Sequence, residues 1–266
     1  MSKNKIKTDL TTIVFSRNRA CQLELLLRSL NIPVTVLYFY DPEFKAGYDK
    51  LIKMYPQFKF VLRSDFKTDL LKLIKEGTKY VMFLVDDDIM IEPFNENCPE
   101  FSKFKSNLDI LTLSLRMGHN CTYNHLPTLK RNIWQWKPYS TGGNAYNRRL
   151  RQWGYPMAVG GHVFRKKDIL PIIMATEMKN PNFLEGALSA NPPDRSLMIC
   201  FNKPKIINNI VNQVQTDFPS HIVGISPREL EERFLKGERI SLEDIRKKAT
   251  KAFDCYLKAE YQFEYY

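Results

Sequence analysis

The chain has no glycine before Gly47 and only 11 among its 266 residues. Dinucleotide fingerprints and P-loops both need glycine backbone against phosphate just after a first strand, so dehydrogenase, ATPase and kinase readings fall away. The five cysteines, Cys21, Cys98, Cys121, Cys200 and Cys255, are scattered, odd in number and form no Cys-x-x-Cys pair. That argues against structural zinc and fits a reducing, cytoplasmic compartment. No apolar run approaches the roughly 18 residues a membrane span needs. The opening Met1-Ser2-Lys3-Asn4-Lys5 leads toward a strand without a signal-peptide core. Zinc-finger and aromatic RNA-binding patterns are missing, and no nucleic-acid partner is expected. Internal repeats and low-complexity tracts are missing too, which points to one compact unit.

Acidic residues are outnumbered, 29 Asp plus Glu against 40 Lys plus Arg, for a formal net charge of +11. The average field therefore favours anionic partners, from nucleotides to anionic membrane surfaces, and a peripheral membrane contact is compatible with it. Two clusters, Arg148-Arg149-Leu150-Arg151 and Arg165-Lys166-Lys167, are candidates for phosphate or headgroup contacts, with solvated surface as the alternative. The length suffices for a core without staples, and a hydrophobic fraction of 44% is ordinary for a globular protein.

Hydrophobic periodicity alternates between strand and helix through the first third. Strands are predicted at Thr11 to Phe15, Val34 to Phe39, Phe58 to Leu62 and Tyr80 to Val85. Helices are predicted between them at Arg19 to Leu30, Phe44 to Met54 and Phe66 to Glu76, the last stopped by Gly77. Near-continuous apolar strands joined by helices imply a Rossmann-like, mostly parallel α/β sheet covered on both faces, with ligands beyond the strands' carboxyl ends. Farther on, strands are expected at Asp109 to Leu115 and Met157 to Val163, and a helix from Lys167 to about Thr176. Ser226-Pro227-Arg228-Glu229 and Ser241 with Asp244 read as helix starts, giving a catalytic domain over 1–225 and a helical extension over 226–266.

Three aspartates, Asp86, Asp87 and Asp88, follow the fourth strand directly. Like charges at the end of a buried strand call for something positive, and Mg²⁺ or Mn²⁺ is the economical candidate because it takes carboxylate oxygens and shares open positions with phosphates. Strand alternation would send Asp86 and Asp88 one way and Asp87 the other, an Asp-x-Asp pattern. The competing reading is a turn that merely favours aspartate. Phosphatases with a nucleophilic Asp-x-Asp carry it after the first strand, which weakens that reading.

A fourth-strand Asp-x-Asp after a glycine-free βαβ start resembles the nucleotide-sugar glycosyltransferases of the A fold, family 2 type. Thr12-Ile13-Val14-Phe15-Ser16-Arg17-Asn18-Arg19 looks like their first nucleotide loop. Asp41 falls where they place an acidic base contact, and Arg63 to Lys67 where a third loop lies. Gly160-Gly161-His162-Val163-Phe164-Arg165-Lys166 is similar to the Gly-Gly strand before their acceptor helix. The resemblance implies a metal held by Asp86 and Asp88, with His221 as a further ligand. It also implies donor contacts from Ser16, Arg17, Arg19, Asp41, Arg63, Lys67, Asp86 and Asp87. One carboxylate, Glu185 or Asp194, would deprotonate the acceptor hydroxyl. The activity implied is metal-dependent, inverting transfer from a nucleotide-sugar donor to a glycan, lipid-linked or protein acceptor. The family's paired acidic motif is absent, since Glu185 precedes Gly186 and Asp194 follows Pro193, so the base stays open and retention is possible. The alternatives are a sugar nucleotidyltransferase and a non-catalytic binder of anionic glycans. His162, between apolar residues, reads as structural. Trp134, Trp136 and Trp153 read as core or as a sugar-stacking platform.

Overall fold

The computed structural model describes residues 8–122, 127–136, 150–215, 224–252 and 254–266. His221, Arg148 and Arg149 lie outside the described residues.

Four parallel strands form one half of an eight-stranded sheet: β1 (Leu10–Arg17), β2 (Thr35–Phe39), β3 (Lys59–Leu62) and β4 (Tyr80–Val85). Helices α1 (Ala20–Ser29), α2 (Lys45–Met54) and α3 (Phe66–Glu76) connect them. Side chains alternate across β1, so Val14 joins the core on one face while Ile13 and Phe15 join the core on the other. Both faces are covered, as continuous apolar strands require.

After β4 the chain turns through Asp86 and Asp87 into the short β5 (Asp88–Met90), then α4 (Pro99–Ser106) and β6 (Ile110–Ser114). Next come β7 (Ile133–Gln135), β8 (His162–Arg165), α5 (Lys166–Ala175), α6 (Pro181–Ala190), β9 (Leu197–Ile199) and β10 (Ile206–Asn208). The large sheet runs β3-β2-β1-β4-β8-β6-β9-β7, with β8 antiparallel to both neighbours. The α/β class expected from the sequence is the class observed. The strand expected at Met157 to Val163 begins instead at His162, because Gly161 sits at φ +69° and breaks extended geometry just before it.

The C-terminal segment contains α7 (Pro227–Leu235) and α8 (Leu242–Ala249). Ser226 and Ser241 cap them, accepting from Glu229 N at 3.1 Å and Asp244 N at 3.4 Å. Such caps are worth about 1 kcal/mol each. The segment is more than helical, because β11 (Glu238–Ile240) pairs antiparallel with β12 (Phe263–Tyr265). Helix α7 packs on α1 and α2, where Glu231, 5% exposed, accepts from Gly47 N at 2.7 Å in the first turn of α2. A β-carbon at Gly47 would lie 2.2 Å from this carboxyl, so only glycine allows the approach.

Burial pushes the Glu231 carboxyl up to about 7, against the pull of the Gly47 N–H. A raised folded pKa means that its contribution to stability is complete below the ordinary carboxyl range and fades as pH climbs through about 7. Glu231→Gln keeps an acceptor for Gly47 and removes the titration. Urea denaturation at pH 5 and pH 8 should therefore show wild type losing roughly 2–3 kcal/mol relative to the variant. Parallel losses in both proteins would mean that Glu231 does not titrate with folding.

Candidate active site

Because β1, β2 and β4 are parallel and adjacent, their carboxyl ends open together, and a cavity of ≈ 290 Å³ lies there. Its walls come from Ser16 and Arg17 at the end of β1, Arg19 after it, Phe39 and Arg63 near β2 and β3, and Asp86 and Asp87 after β4. Glu185 lines it from α6, and Arg116, Gly160, Asn208, Asn212 and Tyr256 complete it.

The turn after β1 uses Asn18 at φ 54°, a left-handed conformation that asparagine tolerates. It sends Arg17 outward and Arg19 inward. Arg17 pairs with Asp41 at 3.2 Å, and Asn18 clasps the same residue through Nδ2 to Oδ2 at 2.5 Å and by accepting from Asp41 N at 2.8 Å. The Asn18 hydrogen bond, then Arg17, holds the Asp41 carboxyl below its ordinary range. Asp41 is not part of the cavity wall; it orients Arg17, which is. Arg17 and Arg63 both lie over the Phe39 ring, at 5.6 and 4.4 Å.

Arg19 Nη1 donates to Asp86 Oδ1 at 2.9 Å and to Asp87 Oδ2 at 3.0 Å, while its Nε donates to Asn212 Oδ1 at 2.8 Å and its Nη2 to Asn212 O. Burial opposes its charge, yet Asp86 and Asp87 hold the guanidinium above its ordinary pKa. The positive group expected beside the aspartates is thus supplied in part by the chain itself. Burial pushes the Asp86 carboxyl up against the opposing field of Arg19.

The expected Asp-x-Asp arrangement is not the one observed. The strand ends at Val85, the alternation stops in the turn, and Asp86 and Asp87 face the cavity together. Asp88 is fully buried behind them. It accepts from Val85 N at 2.9 Å and from Asn208 Nδ2 at 3.0 Å, and burial pushes its carboxyl up to about 7. Asn208 Nδ2 also donates to Asp87 Oδ1 at 2.8 Å, and Arg17 N donates to Asp86 Oδ2 at 3.1 Å. Every one of the six carboxylate oxygens therefore accepts from a chain donor.

Could a divalent cation sit here? Two hard carboxylates, Asp86 and Asp87, reach the cavity, and Asn208 Oδ1 beside them is buried with no partner among the described residues. Among those residues no three His, Cys, Asp or Glu side chains form a closed metal cage. That donor set fits a Mg²⁺- or Mn²⁺-type ion completed by substrate phosphates and water rather than a sequestered structural metal. Asp86 and Asp87 would hold it, in place of the expected Asp86 and Asp88.

Glu185 does reach the cavity. Asn180 caps α6 by accepting from Asn182 N at 3.0 Å and Phe183 N at 3.2 Å, and Glu185 follows one turn later. Its Oε2 accepts from Val159 N at 2.7 Å and its Oε1 from Tyr155 Oη–H at 3.1 Å, leaving an oriented carboxylate. Asp194 is exposed and outside the cavity wall. Lys67 is outside as well, its Nζ 2.5 Å from Glu177. Ser16 lines the cavity and shares a 2.6 Å hydrogen bond with Tyr48.

His162 is buried, with Nδ1 3.2 Å from Gly160 O, and burial with the field of Arg116 pushes its pKa down to about 3. It is a neutral structural residue. The three tryptophans are core: Trp134 Nε1 donates to Trp153 O, Trp153 Nε1 to Cys121 O and Trp136 Nε1 to Arg195 O, at 2.9, 3.0 and 2.8 Å. In the second basic cluster, Arg165 and Lys166 are engaged by the chain itself, while Lys167 is exposed. Arg165 donates to the carbonyls of Ile110, Phe104 and Asn107, and Lys166 to those of Lys75 and Gly77.

Over 232 residues the chain is 29% identical to the bifunctional glycosyltransferase pgtA of Dictyostelium discoideum. It is similar to a glycosyltransferase. The matched region covers 72% of this chain and 29% of that protein, so the chain spans under a third of its relative's length. No family model matches. Among solved structures, S. aureus TarS 1–349 and the same protein in complex with UDP align with TM-score 0.40 at 12% and 14% identity, covering 73% of this chain and 60% of that one. Among the described residues no helix is long and apolar enough to cross a membrane.

Proposed function

We propose that the chain is a glycosyltransferase that moves a sugar from a nucleotide-sugar donor to a saccharide or lipid-linked acceptor. The observation that carries this reading is one cavity at the strands' carboxyl ends lined at once by Asp86, Asp87 and the oriented carboxylate of Glu185. The similarity to a glycosyltransferase over most of the chain supports it. In the reaction, the bond between the sugar's anomeric carbon and the donor diphosphate breaks and its electron pair leaves on the phosphate oxygen. The acceptor oxygen attacks from the opposite face, and its proton passes to the Glu185 carboxylate, which gives inversion. Arg19 keeps Asp86 and Asp87 in place and limits their combined charge near the incoming phosphates. A divalent cation, when bound at Asp86 and Asp87, would supply further neutralisation of the leaving diphosphate. Arg17 and Arg63, held over Phe39 at the mouth, would meet the nucleotide.

The test is a thermal-shift screen of UDP-, GDP- and dTDP-sugars with and without Mn²⁺. One donor family should raise the melting temperature, more so with Mn²⁺, and an Asp86→Ala, Asp87→Ala double variant should lose the metal-dependent part. No response to any donor, with or without metal, would favour a glycan-binding module instead.

A further inference from the structure

Arg116 follows β6 and is 6% exposed. No acidic oxygen lies within 4.0 Å of its guanidinium among the described residues. Its Nη1 reaches Gly160 O at 3.4 Å and its Nη2 reaches Cys255 Sγ at 3.5 Å, both long contacts to weak or neutral acceptors. Its Nε is buried with no partner. A buried cation without a paired anion costs several kcal/mol. Burial opposes the charge, yet the guanidinium pKa stays above its ordinary value, raised by Tyr256, which also shares a side-chain hydrogen bond with it, by Cys255 and by Asp88.

The surroundings are built to hold it. The guanidinium lies 4.9 Å over the Tyr256 ring, brought from the C-terminal segment by a bridge between Asn208 and Tyr256. A β-carbon at Gly161 would stand 2.7 Å from Arg116 Cγ, and one at Gly160 would stand 3.2 Å from Asp88 Oδ2 and 3.3 Å from Arg116 Nη1. Gly161 thus leaves the space that the Arg116 stem occupies, and Gly160 the space shared by its guanidinium and Asp88. Arg19, the other buried arginine on the cavity, has committed its donors to Asp86, Asp87 and Asn212. Arg116 is a buried cation on the cavity wall whose Nε has no hydrogen-bond partner among the described residues and whose Nη1 and Nη2 contacts to Gly160 O and Cys255 Sγ are long.

We propose that Arg116 is a catalytic residue that receives the donor's diphosphate and stabilises the charge it acquires as the glycosyl bond breaks. This rests on the glycosyltransferase reading. The electron pair of the broken bond comes to rest on the outer phosphate oxygen, to which Arg116 donates hydrogen bonds without transferring a proton. The acceptor's proton goes to Glu185, as above. A planar fork of donors suits a phosphate better than a point charge does.

The experiment compares wild type, Arg116→Gln and Arg116→Lys by calorimetry with three probe pairs, UDP and uridine, GDP and guanosine, dTDP and thymidine, all with Mn²⁺ held constant. For the pair that wild type binds, Arg116→Gln should lower the preference for diphosphate over nucleoside by about tenfold or more, and leave nucleoside affinity within about twofold, which also reports an intact cavity. Its kcat should fall about 100-fold or more. Arg116→Lys retains a cation without the fork and carries the test if the glutamine variant does not fold; its kcat should fall between the two. Unchanged diphosphate preference in Arg116→Gln, or wild-type kcat in Arg116→Lys, overturns the role of Arg116 while leaving the glycosyltransferase reading intact. A wild-type protein that prefers no diphosphate over its nucleoside overturns both.

Discussion

Arg19→Met is expected to destabilise the protein by about 3–5 kcal/mol, because it strips the countercharge from two buried carboxylates without giving them solvent. Arg19, Asp86 and Asp87 are each under 10% exposed, and the two ion pairs are 2.9 and 3.0 Å long. The loss also frees Asn212, which Arg19 ties to the start of α1 through two hydrogen bonds. Arg19→Lys should recover only part of the loss, since an ammonium cannot span Asn212 and both carboxylates as a fork does. Chemical denaturation checks this, and adding Mn²⁺ or Mg²⁺ to Arg19→Met should restore part of the stability, as a cation replaces the missing charge. A loss below about 1 kcal/mol would place the triad among the ion pairs that contribute little to stability.

Which parts of this were legible beforehand depends on whether the information is local. The four parallel strands and three helices were legible because their apolar periodicity is local and uninterrupted, and β4 and α3 begin and end where the pattern does. The helix caps at Ser226 and Ser241 were legible for the same reason. A helix-entry context favours Glu185 over Asp194 in the sequence; Glu185 lies in the cavity wall, and Asp194 does not. The orientation of the aspartates was not legible, because alternation assumes a strand that continues past Val85, and the chain turns there. Arg19 lines the cavity as expected of a donor-side residue, but that its donors go to the chain's own carboxylates was not legible. Arg116, Asn208 and Tyr256 come from three separated segments and meet only through β6, the pairing of β10 with β5, and the Asn208 bridge to Tyr256. The one signal for them was asparagine in an apolar run, Ile206-Ile207-Asn208-Asn209-Ile210-Val211-Asn212, where a buried amide needs polar partners.

Glu185→Gln should leave the fold and the donor affinity in place and remove turnover. The variant side chain is isosteric; its amide oxygen can still accept from Val159 N and its amide nitrogen can donate to Tyr155, so the 2.7 and 3.1 Å contacts have replacements. What is lost is the capacity to take a proton. General-base catalysis contributes roughly 10²–10⁴-fold, so kcat should fall about 1000-fold with donor binding within about threefold of wild type.

That comparison also tests the central claim most directly, that the cavity at the carboxyl ends of β1 and β4 transfers a glycosyl group with Glu185 as base. Nucleoside diphosphate release from the bound donor would be measured for wild type and Glu185→Gln, beside donor affinity for both. The account predicts release by wild type, near-complete loss in the variant, and matching affinities. Equal release by the two proteins would contradict it.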